Sequence, residues 1–97
     1  MSKDRSKLLF IIDTYGTKHQ EDIAIEELSE LQKAILKYRR NSSGKRRKKV
    51  IDEIADVSVM LEQLKIIYSC HKDVEERVEY KIDRQIKRIK KKYNIMN

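Results

Sequence analysis

The sequence contains no proline and no tryptophan, and among its 97 residues there are only two glycines and one phenylalanine. Proline and glycine interrupt helices and form the tight turns of sheets, so their scarcity favours long helices over an all-β fold. Charged residues make up 40% of the chain and hydrophobic residues 39%, a balance that suits amphipathic helices. We therefore expect a single all-α domain that spans residues 1–97.

Cysteine and long apolar runs are also scarce. Cys70 is the single cysteine, which excludes an intrachain disulfide, and with only His71 beside it there are too few ligands for a zinc site. No run of about 18 apolar residues is present, so we expect no membrane span. The apolar run at residues 8–12 is too short for a signal peptide. These features fit a reducing compartment, and we expect a cytoplasmic location.

The net charge of +7 is unevenly distributed along the chain. Residues 21–36 contain five acids and one lysine, whereas all five residues at 45–49 are basic. Residues 81–92 carry seven cations and one aspartate. This separation of charge indicates anionic partners, either nucleotide phosphates or a nucleic-acid backbone.

Hydrophobic spacing and turn residues divide the chain into four predicted helices. We place them at residues 4–14, 18–40, 45–69 and from Val74 onwards, separated by Gly16, the turn Asn41–Gly44 and the connector Cys70–Asp73. The last helix carries an amphipathic stripe. Thr17 and Gln20 match a capping box at the start of the second helix, and a contact with substrate is the alternative role for Gln20.

Two similar acidic motifs flank the predicted turn, Glu27-x-x-Glu30 and Glu53-x-x-Asp56. The two acids of each motif are three residues apart, so their carboxylates are neighbours on a helix. Glu27 and Asp56 are equidistant from the boundary between residues 41 and 42. A hairpin folded at that point would bring both motifs to the same height, about 20 Å below its tip.

A helical wheel predicts which residues pack between the two arms of this hairpin. The predicted stripes are Ala24, Leu28, Leu31 and Ile35 on the first arm, and Ile54, Val57, Leu61, Leu64 and Tyr68 on the second. The acids fall on the same flank of each stripe, so antiparallel packing would align four carboxylates along one seam. Met60 and Ile67 share the acidic side, where they would line a base pocket or serve the core.

The four carboxylates have no lysine or arginine four residues later, where a neutralising partner commonly lies. Two like charges about 4 Å apart repel by about 1 kcal/mol in water and about 4 kcal/mol at an effective dielectric near 20. A divalent cation would supply the missing charge, and Mg²⁺ suits carboxylate oxygens and substrate phosphates. We therefore predict a metal site at Glu27, Glu30, Glu53 and Asp56; the alternative is an acidic edge in solvent.

The paired acidic motifs resemble those of the all-α nucleoside triphosphate pyrophosphohydrolases, the MazG-like group that includes dimeric dUTPases and dCTP pyrophosphatases. Tyr15-Gly16 with Gln20, and Lys81-x-x-Arg84, also resemble the small phage and bacterial members, and the similarity covers roughly residues 8–90. The resemblance implies an oligomeric enzyme, dependent on Mg²⁺ with Mn²⁺ as a substitute, that cleaves a triphosphate to a monophosphate and pyrophosphate.

The resemblance also assigns roles to residues. It implies that Glu27, Glu30, Glu53 and Asp56 are both catalytic and metal-binding. It implies that Lys81, Arg84 and Gln20 bind the nucleoside triphosphate.

Two further functions are compatible with the sequence. The basic residues at 45–49 and 81–92 would suit a non-enzymatic helical protein that binds nucleic acid, although no interleaved aromatic residues accompany them. The other is a protein-interaction module, antitoxin-like, whose acids pair with a basic partner. In each case we expect a homodimer or homotetramer, because a chain of this size buries only about 60–65% of its unfolded surface.

Overall fold

The computed structural model describes residues 4–94, which form four helices and no strand. The helices are α1 (Arg5–Tyr15), α2 (Thr17–Arg40), α3 (Gly44–Ile67) and α4 (His71–Lys92). α2 and α3 pack against each other as a hairpin, and α1 lies against both of its arms. The predicted all-α fold built on a central hairpin is confirmed.

A single residue, Gly16, separates α1 from α2. Its φ of +93° lies in the region that favours glycine, and its N–H donates to the carbonyl of Ile12 at 2.7 Å. Gly16 itself occupies the N-cap of α2, and no side chain caps this end. The predicted capping box is therefore wrong: α2 begins at Thr17, one residue earlier than expected, so that Thr17 lies inside the helix.

Hydrogen bonds to both arms hold the hairpin turn. The Ser43 hydroxyl accepts a hydrogen bond from the backbone N–H of Arg46 at 3.2 Å and so caps α3. The Arg46 side chain donates from Nη1 to the carbonyl of Lys37 at 2.8 Å, which also accepts from the backbone N–H of Asn41 at 3.1 Å, so Arg46 ties the start of α3 to the end of α2. The turn lies where the sequence predicts it, with α3 beginning at Gly44.

The face through which the two arms meet only partly matches the predicted one. Ala24 on α2 and Val57 on α3 are buried as predicted, and Ala34 and Met60 are buried beside them. Five other residues of the predicted stripes remain 42–61% exposed: Leu28, Ile35, Ile54, Leu61 and Tyr68. Both helices are thus rotated about their axes towards the flank that carries Ala34 and Met60. The bulkier apolar residues are left on the outside of the chain.

The last helix, α4, packs against α3 alone and has no buried residue. It begins at His71, three residues before the predicted start, and Asp73 in its first turn suits the helix N-terminus. Its apolar stripe is 45–63% exposed and consists of Val78, Ile82, Ile86, Ile89 and Tyr93. Such an amphipathic helix needs a further surface to bury its apolar face.

Among residues 4–94, no helix combines the length and the apolar content that a bilayer crossing requires.

Candidate metal centre

Three of the predicted carboxylates converge where the arms of the hairpin meet. Glu27, Glu53 and Asp56 each present an oxygen, and these three oxygens lie within 4.8 Å of one another. Glu27 comes from α2 and the other two from α3, so the hairpin assembles this acidic cluster from both sequence motifs. Glu53 is only 4% exposed, Glu27 is half-buried and Asp56 is exposed. The cluster is thus closed on one side and open to solvent on the other.

Glu53 is the buried anchor of the acidic cluster. Its Oε1 forms an ion pair with Lys49 Nζ at 2.8 Å. Its Oε2 is buried and has no hydrogen-bond partner among residues 4–94. A buried carboxylate oxygen without a partner is energetically costly. This oxygen is therefore a potential ligand for a cation bound in the cluster.

The pKa of Glu27 reflects the negative charge of the acidic cluster. Burial raises the pKa of this carboxyl above its ordinary value of 4.5, and the charges of Asp56 and Glu53 raise it further. Burial disfavours the ionised form because water is lost, and the neighbouring carboxylates disfavour it by repulsion. The cluster therefore holds more negative charge than its own surroundings neutralise.

Lys49 is a site residue that the sequence analysis does not identify. None of the four acids has a lysine or arginine four residues later, as the sequence analysis states, and Glu30 has Lys33 three residues later. Glu53 nevertheless has a partner at helical spacing, because Lys49 lies four residues before it. The ion pair with Glu53 raises the pKa of Lys49, and the charges of Glu30 and Asp52 add to that effect. One lysine against three carboxylates leaves the cluster negative.

Glu30, the fourth predicted ligand, lies outside the acidic cluster. Its Oε1 accepts a hydrogen bond from Lys33 Nζ at 3.5 Å, and its side chain is 47% exposed. It lies about one helical turn nearer the hairpin tip than Glu27, and its charge there contributes to the raised pKa of Lys49. The structure therefore places Glu30 beside the cluster rather than within it.

Gln20 lies in the core at the end of the hairpin opposite the turn. Its Nε2 donates to Gln63 Oε1 at 2.8 Å, and its Oε1 lies 2.8 Å from His19 Nδ1. Both glutamines are buried, and Gln63 Nε2 also contacts the sulfur of the buried Met60 at 3.6 Å. Gln20 thus joins α2 to α3 through Gln63, and Met60 lies in the interior beside that pair.

Lys81 and Arg84 both lie on α4, which is not one of the two arms that carry the acids. Within residues 4–94 neither of them forms an ion pair with an acid. The Arg84 guanidinium lies 5.8 Å from the centroid of the Tyr80 ring, and that of Arg77 lies 4.5 Å from the same ring. A single chain therefore does not bring these predicted substrate-binding cations into contact with the acidic cluster.

No protein-family model, curated protein or solved structure matches this chain. The resemblance to the MazG-like group is thus a prediction that rests on the residues of the motifs. The structure establishes an all-α hairpin whose two arms bring three carboxylates together beside one lysine.

Proposed function

We propose that this chain is a Mg²⁺-dependent nucleoside triphosphate pyrophosphohydrolase, which releases a nucleoside monophosphate and pyrophosphate. The observation that carries the proposal is the meeting of Glu27, Glu53 and Asp56, from both arms of the hairpin, within 4.8 Å. Polyphosphates are bound in many enzymes through a divalent cation held by carboxylates. The expected setting is the nucleotide pool of the cytoplasm.

The residues present fit such a cation. The cluster offers carboxylate oxygens and neither thiolate nor imidazole, a donor set that favours Mg²⁺ or Mn²⁺ over zinc. The buried, unpartnered Oε2 of Glu53 would gain the positive charge that it lacks. When bound, the cation would polarise phosphate oxygens and lower the pKa of a water molecule.

The burial of each acid suggests its role. Glu53 is buried and held by Lys49, so it would fix the position of the cation. Asp56 is exposed and would face the solvent from which a triphosphate arrives. Glu27 lies between these two extremes of burial, and one of the three carboxylates would accept the proton of the attacking water. Glu30 would remain an outer carboxylate beside the cluster.

Lys49 is the cation best placed to neutralise the polyphosphate. It already contacts the cluster, and its side chain is 60% exposed, so Nζ can turn from Glu53 towards a phosphate oxygen. Such a contact would stabilise charge on the leaving pyrophosphate. Lys81 and Arg84 would contribute in the same way only from a second copy of the chain.

We propose that the functional form is a homodimer or homotetramer. An open apolar groove of about 500 Å³ runs along α2 beside Leu28, Leu31 and Ile35, and the apolar stripe of α4 is uncovered. Contiguous apolar surfaces of this kind mark protein contacts. Packing between copies would cover both surfaces and could bring α4 of one copy to the acidic cluster of another.

The test is to incubate the protein with each ribonucleoside and deoxyribonucleoside triphosphate in Mg²⁺ and to measure released pyrophosphate. We expect at least one triphosphate to be cleaved, EDTA to stop cleavage, and Glu53→Gln to lower kcat/KM by about 100-fold or more. Glu62→Gln is the matched control, because Glu62 lies on the same helix and pairs with Lys65 at 2.7 Å. The proposal is wrong if no triphosphate is cleaved, or if Glu53→Gln is as active as the control.

A further inference from the structure

The tip of the hairpin is strongly basic. Residues 37–49 contain eight lysines and arginines and no acid. These tip cations are Lys37, Arg39, Arg40, Lys45, Arg46, Arg47, Lys48 and Lys49. Within residues 4–94, Lys49 is the one tip cation that forms an ion pair. The others repel one another without a compensating acid.

Half of the tip cations also oppose the helix that carries them. The end of α2 favours positive side chains because a helix C-terminus carries partial negative charge, so Lys37, Arg39 and Arg40 are well placed there. The start of α3 carries partial positive charge, yet its first turn contains no acid. Lys45–Lys48 therefore add positive charge where the helix disfavours it. Arg46 is anchored by its bond to the Lys37 carbonyl, but within residues 4–94 none of the four forms an ion pair, which points to an anion outside the chain.

The geometry of the tip favours an extended anion. Six of the tip cations line an open groove of about 640 Å³ between the end of α2 and the start of α3, together with Ser43 and Asp52. A single phosphate or triphosphate would engage few of these cations at a time. A chain of phosphodiesters would contact several of them at once and release its counterions.

We infer that the hairpin tip binds nucleic acid through its phosphate backbone. Tyr38 is the single aromatic residue in 37–49 and it is half-buried, so the tip offers no exposed ring on which a base could stack. Contacts to phosphates alone position a protein without reading sequence. The surface lies at the turn, whereas the acidic cluster lies along the arms, so binding there does not depend on the proposed hydrolase activity.

The test measures binding of the full-length protein to fluorescent 20-nucleotide DNA and RNA strands and to a DNA duplex, by anisotropy at several salt concentrations. The tip variant carries Lys45→Ala, Arg47→Ala and Lys48→Ala, which spare the capping contact of Arg46 and the ion pair of Lys49. Its matched control carries Lys87→Ala, Arg88→Ala and Lys91→Ala on α4. Each variant loses three positive charges from exposed helical positions.

We expect the tip variant to bind at least about tenfold more weakly at 100 mM salt. The slope of the logarithm of its binding constant against the logarithm of salt concentration should become shallower by about two to three. The control should stay within about threefold of the wild type, and EDTA should leave binding unchanged. The tip variant should also melt at a higher temperature, which verifies that it is folded and relieved of repulsion.

Three results would overturn the inference. The first is an equal loss of affinity in the α4 control, which would assign binding to net charge. The second is tighter binding to vesicles of anionic phospholipid than to any of the nucleic acids. The third is the absence of binding to DNA and RNA at 50 mM salt, where phosphate contacts are strong.

Discussion

Lys49 Nζ lies 2.8 Å from Glu53 Oε1, four residues away along α3, and this contact joins the basic tip of the hairpin to its acidic cluster. The lysine side chain is 60% exposed, whereas that of the glutamate is 5% exposed. Lys49 can therefore move into solvent while Glu53 stays in place. A cation that binds in the cluster would add to, or replace, the positive charge that Lys49 supplies to the buried Glu53 carboxylate.

Loss of Lys49 should make the protein more dependent on a divalent cation. In Lys49→Met, the buried Glu53 carboxylate would have no partner for either oxygen, so we expect a lower Tm in EDTA than for the wild type. Added Mg²⁺ should recover most of this loss. Thermal melts in EDTA and in Mg²⁺ measure both effects, with Lys48→Met as the control. An unchanged Tm in EDTA would show that the ion pair does not stabilise the fold.

Mg²⁺ should stabilise the wild-type protein through the acidic cluster. At ten times its dissociation constant, a ligand that binds only the native state contributes about 1.4 kcal/mol, which corresponds to a rise in Tm of roughly 5–10 °C for a domain of this size. Asp56→Asn should lose most of this rise, and Glu30→Gln should lose less because Glu30 lies outside the cluster. Equal shifts in the wild type and Asp56→Asn would place the cation elsewhere.

The raised pKa of Glu27 predicts how stability varies with pH in the absence of metal. Above pH 4.5 the native state retains the Glu27 proton that the unfolded state loses, so the free energy of unfolding should fall as pH rises from 4.5 through the native pKa. Glu27→Gln should remove this fall and stabilise the metal-free protein at pH 7, because the repulsion from Asp56 and Glu53 is lost. Urea unfolding between pH 4 and 8 provides the measurement.

Glu62 serves as the control in the pH experiment, because its pKa is shifted in the opposite direction to that of Glu27. The hydrogen bond from Lys65 lowers its pKa below 4.5, so its contribution to stability is present above pH 4.5 and is lost as pH falls through the native pKa. Glu62→Gln should therefore alter the acid side of the profile. A similar effect of both variants above pH 4.5 would contradict the assignment of the fall to Glu27.

The buried amide pair should contribute to stability rather than to substrate binding. Gln20→Ala would leave Gln63 Oε1 buried without its donor at 2.8 Å, a loss that costs about 1–3 kcal/mol. Combining it with Gln63→Met should cost less than the sum of the two single changes. If triphosphate cleavage is observed, KM should stay within about threefold of the wild type. A large rise in KM with unchanged Tm would instead support a contact with substrate.

Because the apolar stripe of α4 is uncovered in a single chain, we expect a charge introduced into it to weaken the association of copies of the chain. Ile82→Asp should shift the sedimentation of the wild-type oligomer towards that of a single 11.6 kDa chain, because the new carboxylate would be buried in the contact between copies. Gln85→Asp, at an exposed polar position of the same helix, should leave assembly unchanged. A wild-type protein that sediments as a monomer would refute the proposed oligomer.

The sequence predicts the helices, the turn and the hairpin, because periodicity and turn residues are local signals. It also predicts that Glu27, Glu53 and Asp56 approach one another, since equal distances from a turn determine equal heights on two arms. The rotation of the arms is not predicted. The first arm carries a bulky stripe with Leu28 and, beside it, a flank with the small Ala34, and a wheel cannot decide which one the partner helix covers.

Other differences have equally specific causes. Gln20 appears as a capping residue in the sequence because its partner, Gln63, lies 43 positions away. Lys49 is visible in the sequence, but only when pairs are searched in both directions along the helix. The positions of Lys81 and Arg84 depend on how α4 packs, which in one chain is determined by a single neighbouring helix.

The one-residue junction at Gly16 has a consequence for the base of the hairpin. Because no other residue lies between α1 and α2, one pair of backbone angles sets the direction in which the first helix leaves. A methyl group added at Gly16 would meet no atom within 4 Å, while the φ of +93° would strain any L-residue there. A substitution at this joint would therefore act through the backbone angles of one residue and not through a clash with a packed neighbour.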